Sequence, residues 1–284
     1  MSPLIHTFEA ESCPQVWLAA AEFLNKQPKR AALNVVLAAK TPGVMTKADF
    51  PIHHCVDAFL RRHGRLGVAA VASTIFPANF YLRAGAAGVY EEYPKLPIPS
   101  RWGFYALRML RKRVIPAGTN EIREINPLRI LVNKIKSQLA ARPMRAGYEL
   151  NMLDSDDLLE IPLHDAGIDA RRTRGQPCLS HLSFKLLPEQ RQVMLTALYR
   201  NHFYIERALG NFLGLAQLLS FVATETGLGV GPLVCHSTLA NLDRGSWGLR
   251  GVETLLQQCR NSVPKLQVAD SAGRAGARVQ PRKR

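Results

Sequence analysis

The stretch QPCLSHLSFKLLPEQRQVMLTALYR, residues 176–200, reads as a β-hairpin. Side chains alternate along a strand, so Cys178, Ser180, Leu182, Phe184 and Leu186 share one face of the first arm. Leu179, His181, Ser183 and Lys185 share the other. Leu187-Pro188-Glu189-Gln190 supplies the turn. On the return arm Val193, Leu195, Ala197 and Tyr199 alternate with Met194, Thr196, Leu198 and Arg200. The hairpin therefore sets a thiol where it opens and a guanidinium where it closes. A fixed cation beside a thiol can favour its thiolate at neutral pH. The plainer reading makes Cys178 a small core residue and Arg200 a solvated or ion-paired cation.

Downstream, Leu209 to Val222 is apolar nearly all round and predicts a deeply buried helix. Asn211 is the polar exception near its start. A buried amide needs partners, and a ligand can be one; Asn211 could equally cap the helix. Val230 to Val234 reads as a strand running into Cys235-His236-Ser237. Upstream, apolar spacing from Pro14 to Leu24 predicts a helix with Ser12 as its cap. Ala32 to Ala39 reads as a buried strand, and Val56 to Arg62 as a helix stopped by Gly64. Val68 to Ile75 reads as a strand, and residues 83–100, rich in Gly, Tyr and Pro, as loop. Asn126-Pro127 opens the clearest helix, with Leu128, Leu131, Val132, Ile135 and Leu139 on one face and an end before Arg142-Pro143. Residues 153–176 read as a loop or insertion. The inventory predicts an α+β fold, a large mixed β-sheet flanked by helices.

The chain of 284 residues is 47% hydrophobic, enough for a large core, and no low-complexity linker divides it. Residues 1–270 are expected to form one domain. The net charge is +15; Arg274, Arg278, Arg282, Lys283 and Arg284 supply five of those charges, with no acid among residues 271–284, which leaves +10 on the rest. That end of the chain is expected to be a basic, disordered tail. A cationic body suits an anionic small substrate such as a phosphate. Nucleic acid is not expected as a partner, because no aromatic stacking motif or recognition helix accompanies the charge. Five cysteines without CxxC spacing argue against a disulfide framework or a zinc ribbon and predict reduced thiols in a cytoplasmic setting. Neither His53-His54-Cys55 nor Cys235-His236 has metal-site spacing. No apolar run approaches a bilayer span and no signal-peptide pattern opens the chain.

Proline-cysteine opening a strand, a hairpin return ending in Tyr199-Arg200, a short connection, then Asn211 heading a buried helix: this order resembles the thymidylate synthase and pyrimidine hydroxymethylase family. The similarity is best over residues 176–243. It extends upstream to Trp102-Gly103-Phe104-Tyr105-Ala106-Leu107-Arg108 and to the helix opened by Asn126-Pro127-Leu128. The resemblance implies a thymidylate-synthase-like sheet that dimerises face to face. It implies Cys178 as the nucleophile that adds to C6 of a pyrimidine nucleotide such as dUMP. Arg200 would contact the nucleotide phosphate, Asn211 the base and His236 the sugar. Arg145 and Arg142 would reach the phosphate of the partner subunit's site. The product would be the C5-methyl or C5-hydroxymethyl nucleotide, with methylenetetrahydrofolate as one-carbon donor.

The chain departs from the family's pattern at several points. Leu179 stands where the family has histidine, and Asn201-His202-Phe203 follows the arginine where the family has Ser and Asp. No acid near Ser73-Thr74-Ile75 matches the catalytic glutamate; Glu91 and Glu92 are the nearest downstream. These departures motivate an alternative: a diverged, non-catalytic homologue that binds a nucleotide or a protein partner.

Overall fold

The hairpin forms two neighbouring strands of a seven-stranded mixed sheet in the computed structural model, which describes residues 4–97, 105–114, 121–141, 144, 147–152 and 178–262. Across the sheet the order is β1 (His6–Ala10), β2 (Ala31–Ala39), β9 (Gly229–Asn241), β7 (Gln192–Tyr199), β6 (Leu179–Leu187) and β5 (Tyr148–Asn151). A short β8 (His202–Phe203) follows β7 and pairs with the far end of β9. The pairs β1–β2 and β7–β9 are parallel. Parallel neighbours need a crossover, and helices α1 (Cys13–Lys26) and α7 (Leu209–Thr226) provide the two. A separate ribbon joins β3 (Lys112–Val114) to β4 (Arg123–Ile125).

Helices cover one face. α1 lies on β2, and α7 lies on β7 and β9. α2 (Asp49–Arg62) and α8 (Gly248–Asn261) pack beside α1, while α3 (Val68–Ile75), α4 (Ala78–Glu91) and α6 (Pro127–Leu139) pack around α7, and α5 (Tyr105–Leu110) joins α3 to α6. Val35, Leu37, Leu182, Phe184, Leu195 and Leu233 point from the sheet into this layer and are fully buried or nearly so. The expected α+β class, a large mixed sheet flanked by helices, is what the chain forms.

On the opposite face Val36, Met194, Leu198, Pro232 and Val234 remain half-buried, and Leu33 is 62% exposed. Toward β5 that face turns polar. Glu149 there accepts from Ser183 Oγ at 3.0 Å, lies 2.8 Å from His181 Nε2 and pairs with Lys185. Those partners hold its carboxyl below the usual range against the opposing effect of burial.

Three expectations need correction. Val68 to Ile75 is a helix, because its first amide finds a cap from outside: Val68 N donates to Asp57 Oδ1 at 2.8 Å. Gly210 and Gly214 then let α3 settle against α7. A Cβ at Gly214 would lie 2.5 Å from the Ala72 carbonyl oxygen and 2.7 Å from Ile75 Cβ. Residues 83–91 continue helix α4 across a break at Gly85, whose φ is +65°, so glycine content concealed a helix. Ser12 does not cap α1; its hydroxyl donates instead to buried Asp49 at 2.5 Å. The Asn126 cap forms as expected, with Arg129 N donating to its Oδ1 at 2.9 Å.

The hairpin forms as predicted, except at its opening. Leu179 pairs with Tyr199 and His181 with Leu198, so Ser180 is an extra, bulged residue. The bulge shifts the alternation. Leu179, not Ser180, falls in phase with buried Leu182, Phe184 and Leu186.

Candidate functional site

The bulge fixes how Cys178 enters the sheet. Its amide and that of Leu179 both donate to Tyr105 Oη, at 3.0 and 3.2 Å. Tyr105 reaches them from α5, so a helix distant in sequence anchors the hairpin's mouth. Across that mouth Arg200 N donates to the Cys178 carbonyl at 2.9 Å. Thr238 Oγ1 donates to Arg200 O at 2.8 Å and so ties the same corner to β9. Cys178 is half-buried and Arg200 is exposed.

The Cys178 thiol is pulled two ways. Burial raises its pKa, while the Arg200 and Arg207 guanidinium groups lower it; burial wins, and the net shift is upward. Both cations thus favour the thiolate without outweighing desolvation. The sequence reading anticipated Arg200 in this role and overlooked Arg207. Arg207 lies in the π-helical turn Tyr204–Ala208 that links β8 to α7, paired with Glu206 at 3.1 Å.

Behind this corner lies a buried polar chain. Tyr199, fully buried, stacks on the His202 ring with centroids 4.0 Å apart and planes within 2°. Among the described residues its hydroxyl has no hydrogen-bond partner. His202 Nε2 lies 3.1 Å from Asn211 Nδ2, and its Nδ1 lies 3.1 Å from Ser237 Oγ. Complete burial lowers the His202 pKa to about 3, so the ring is neutral at physiological pH. Tyr204 meets the His202 ring edge-on at 5.6 Å. Burial raises the Tyr204 pKa, and among the described residues its hydroxyl has no hydrogen-bond partner.

Two anchors hold the turn that carries this chain. Trp17 Nε1 donates to the Tyr204 carbonyl at 2.7 Å. The Asp243 carboxylate accepts from Ile205 N at 2.8 Å and Glu206 N at 3.2 Å. Burial still raises the Asp243 pKa to about 6, beyond what those two bonds recover.

The predicted residues divide accordingly. Cys178 and Arg200 meet at the hairpin's mouth. Asn211 does not cap α7; it lies buried two residues into the helix and turns to His202. It therefore joins the Cys178 corner through His202 and Tyr199. His236 lies on the sheet's other face, opposite Val36 and Leu198, with Nε2 3.1 Å from Asn34 Oδ1. Strand alternation gives the helix-side position to Ser237 instead. Arg142 and Arg145 lie outside the described residues. Tyr105, His202 and Ser237 went unassigned because nothing in linear order brings them together.

Chemically, the corner offers a half-buried thiol in the field of two guanidinium groups, and a neutral amide–imidazole–hydroxyl chain behind it. Guanidinium groups suit a phosphate or another anion. Among the described residues no three His, Cys, Asp or Glu side chains stand close enough to hold a metal ion. No described helix is long and apolar enough to cross a membrane. No protein-family model matches the chain, and no curated protein is significantly similar to it.

Proposed function

We propose that this chain transfers a one-carbon unit to C5 of a pyrimidine nucleotide, dUMP or a close analogue, with Cys178 as nucleophile. The observation that carries the proposal is the joining of Cys178 to Arg200 across the hairpin's mouth, where the Arg200 and Arg207 guanidinium groups both favour the thiolate, with Asn211 reached through the Tyr199–His202 stack. In this reading the Cys178 proton leaves to solvent, which a half-buried thiol can reach. The sulfur then adds to C6 of the ring, and the electron pair of the C5–C6 double bond moves onto the C4 carbonyl as an enolate. C5 thereby becomes the nucleophile. C5 then attacks a one-carbon donor at the formaldehyde oxidation level, a carbonyl or an iminium, whose π pair moves to its heteroatom. Loss of the C5 proton to solvent and expulsion of the sulfur restore the double bond. Water displaces any donor amine to give the C5-hydroxymethyl nucleotide, and a methyl product needs a hydride in its place. Arg200 and Arg207 would hold the phosphate and ease the thiolate's formation.

The family's catalytic glutamate has no match in this chain, and the nearest acids downstream do not replace it. Glu91 is exposed and pairs with Arg129 at 3.2 Å, and Glu92 is exposed beside it. The proposal therefore routes no step through folate; methylenetetrahydrofolate is the first donor to supply in the assay. The sheet-to-sheet homodimer belongs to the same proposal. The apolar open face around Leu33, Val36 and Leu198 would be its interface, and Leu33→Glu should leave a monomer by sedimentation; an unchanged dimer would refute that interface.

The test is release of label from C5-tritiated dUMP, with Cys178→Ala as control. Turnover that disappears in the variant while dUMP binding persists supports the proposal. Full turnover in Cys178→Ala refutes the nucleophile. A second reading, a nucleotide-binding homologue without chemistry, is favoured by the upward pKa shift of Cys178. It predicts dUMP binding with no label release at any pH.

A further inference from the structure

Two of the five free thiols stand where α2 packs against α8. Cys55 is half-buried on α2, whereas Cys259 is fully buried on the face of α8 that also carries Val252, Leu255 and Leu256. The end of α8 brings the pair together. Cys55 Sγ lies 4.0 Å from Ser262 Oγ, and that hydroxyl donates at 2.8 Å to Gln258 O, the carbonyl bonded to the Cys259 nitrogen. Ser262 follows Cys259 by three residues, the spacing that makes side chains neighbours on one helical face. Cys55 therefore reaches across the helix interface to the turn that carries Cys259. The buried thiol feels that neighbour: burial raises its pKa most, and Cys55 raises it further.

The two thiols differ in access. An oxidant in solvent can meet Cys55, while Cys259 is sealed behind it. Cys13 and Cys235 are sealed in the core, and Cys178 sits at the hairpin's mouth. The helix that carries Cys259 also serves the corner. Its N-cap residue Trp247 donates from Nε1 to Asp243 O at 3.2 Å. The Asp243 carboxylate in turn accepts from Ile205 N and Glu206 N, just before Arg207. One end of α8 thus meets Cys55 and the other braces the turn that bears Arg207.

We propose that Cys55 and Cys259 form a reversible disulfide, a redox clamp between α2 and α8. A hydroperoxide is the oxidant. The Cys55 thiolate attacks one peroxide oxygen, the O–O bond breaks, and Cys55 becomes a sulfenic acid as hydroxide or alkoxide leaves. The Cys259 sulfur then attacks the Cys55 sulfur. The S–S bond forms, the S–O bond breaks, and the Cys259 proton leaves with the hydroxide as water. Two thiols give up two electrons and two protons, which the peroxide takes up. A thiol reductant reverses the step by exchange. The bond would join residues 204 positions apart, a long loop whose closure restricts the unfolded chain strongly.

The full-length protein, reduced and then exposed to a small excess of hydrogen peroxide, is blocked with iodoacetamide, digested without reductant and mapped by mass. A Cys55–Cys259 linked peptide pair that dithiothreitol separates is expected. Cys55→Ser should leave Cys259 an intact thiol. Cys259→Ala should let Cys55 pass on to the sulfinic acid, because no resolving thiol remains. The oxidised wild type should unfold about 5 °C or more above the reduced form, a shift that Cys55→Ser should lack. The amides of Ile205 and Glu206 should exchange hydrogen more slowly once the bond has formed. A wild type that stays reduced, that carries Cys55 sulfinic acid without a link, or that links another cysteine overturns the pair. A Cys55–Cys259 link that leaves either the unfolding temperature or the exchange unchanged overturns the clamp. The wild-type map decides the pair even where a variant fails to fold.

Discussion

Removing the same oxygen from two tyrosines at the hairpin's mouth should move stability in opposite directions. Tyr105 Oη accepts from Cys178 N and Leu179 N, and Leu179 is fully buried. Tyr105→Phe strands the Leu179 amide away from water, whereas half-buried Cys178 can recruit a solvent molecule. One buried donor left without a partner costs about 1–3 kcal/mol. Tyr199 is equally buried, but its hydroxyl has no partner among the described residues. Tyr199→Phe removes a desolvated group that gives nothing back, so it should stabilise by about 1–2 kcal/mol, less a small term for the vacated volume. For a chain of this size each kcal/mol moves Tm by about 2–4 °C. Calorimetric unfolding of the two variants beside the wild type should therefore show one Tm several degrees lower and the other a few degrees higher. A neutral Tyr105→Phe would refute the anchoring of the hairpin by α5. A Tyr199→Phe variant destabilised by about 1 kcal/mol would show that its hydroxyl is satisfied and that the site holds no unspent donor.

Stability against pH should report two buried groups of opposite sign. The folded pKa of His202 lies near 3, below its ordinary 6.5, so its contribution is lost as pH falls below 6.5, by about 2 kcal/mol at pH 5. Asp243 is raised from 3.8 to about 6, so its contribution fades as pH rises through that interval. Between pH 4 and 6 the two largely cancel. In denaturant titrations the wild type should stay nearly flat over that range, while His202→Phe gains stability as pH falls from 6 to 4 and Asp243→Asn loses it; parallel profiles for all three would refute both assignments. Gly214→Ala should cost about 1–3 kcal/mol through overpacking of α7 against α3, because the added carbon meets Ala72 O and Ile75. A variant within error of wild type in urea would show that the two helices can part without penalty.

Much of this was legible in the chain, because it depends on neighbours in sequence. The hairpin, the Asn126 cap and the strand over Ala31–Ala39 follow from alternation, turn chemistry and capping, which act over a few residues. The meeting of Cys178 and Arg200 follows too, since a hairpin brings its own ends together. Helix α3 was not legible, because its cap comes from Asp57 and its packing from two glycines about 140 residues away. The turn of Asn211 toward His202, the exchange of His236 for Ser237 and the Tyr105 anchor were decided only in the folded molecule. Local sequence sets which backbone a segment prefers. A one-residue bulge and the pairing of distant strands set which side chains share a wall, and that decides the chemistry of the corner.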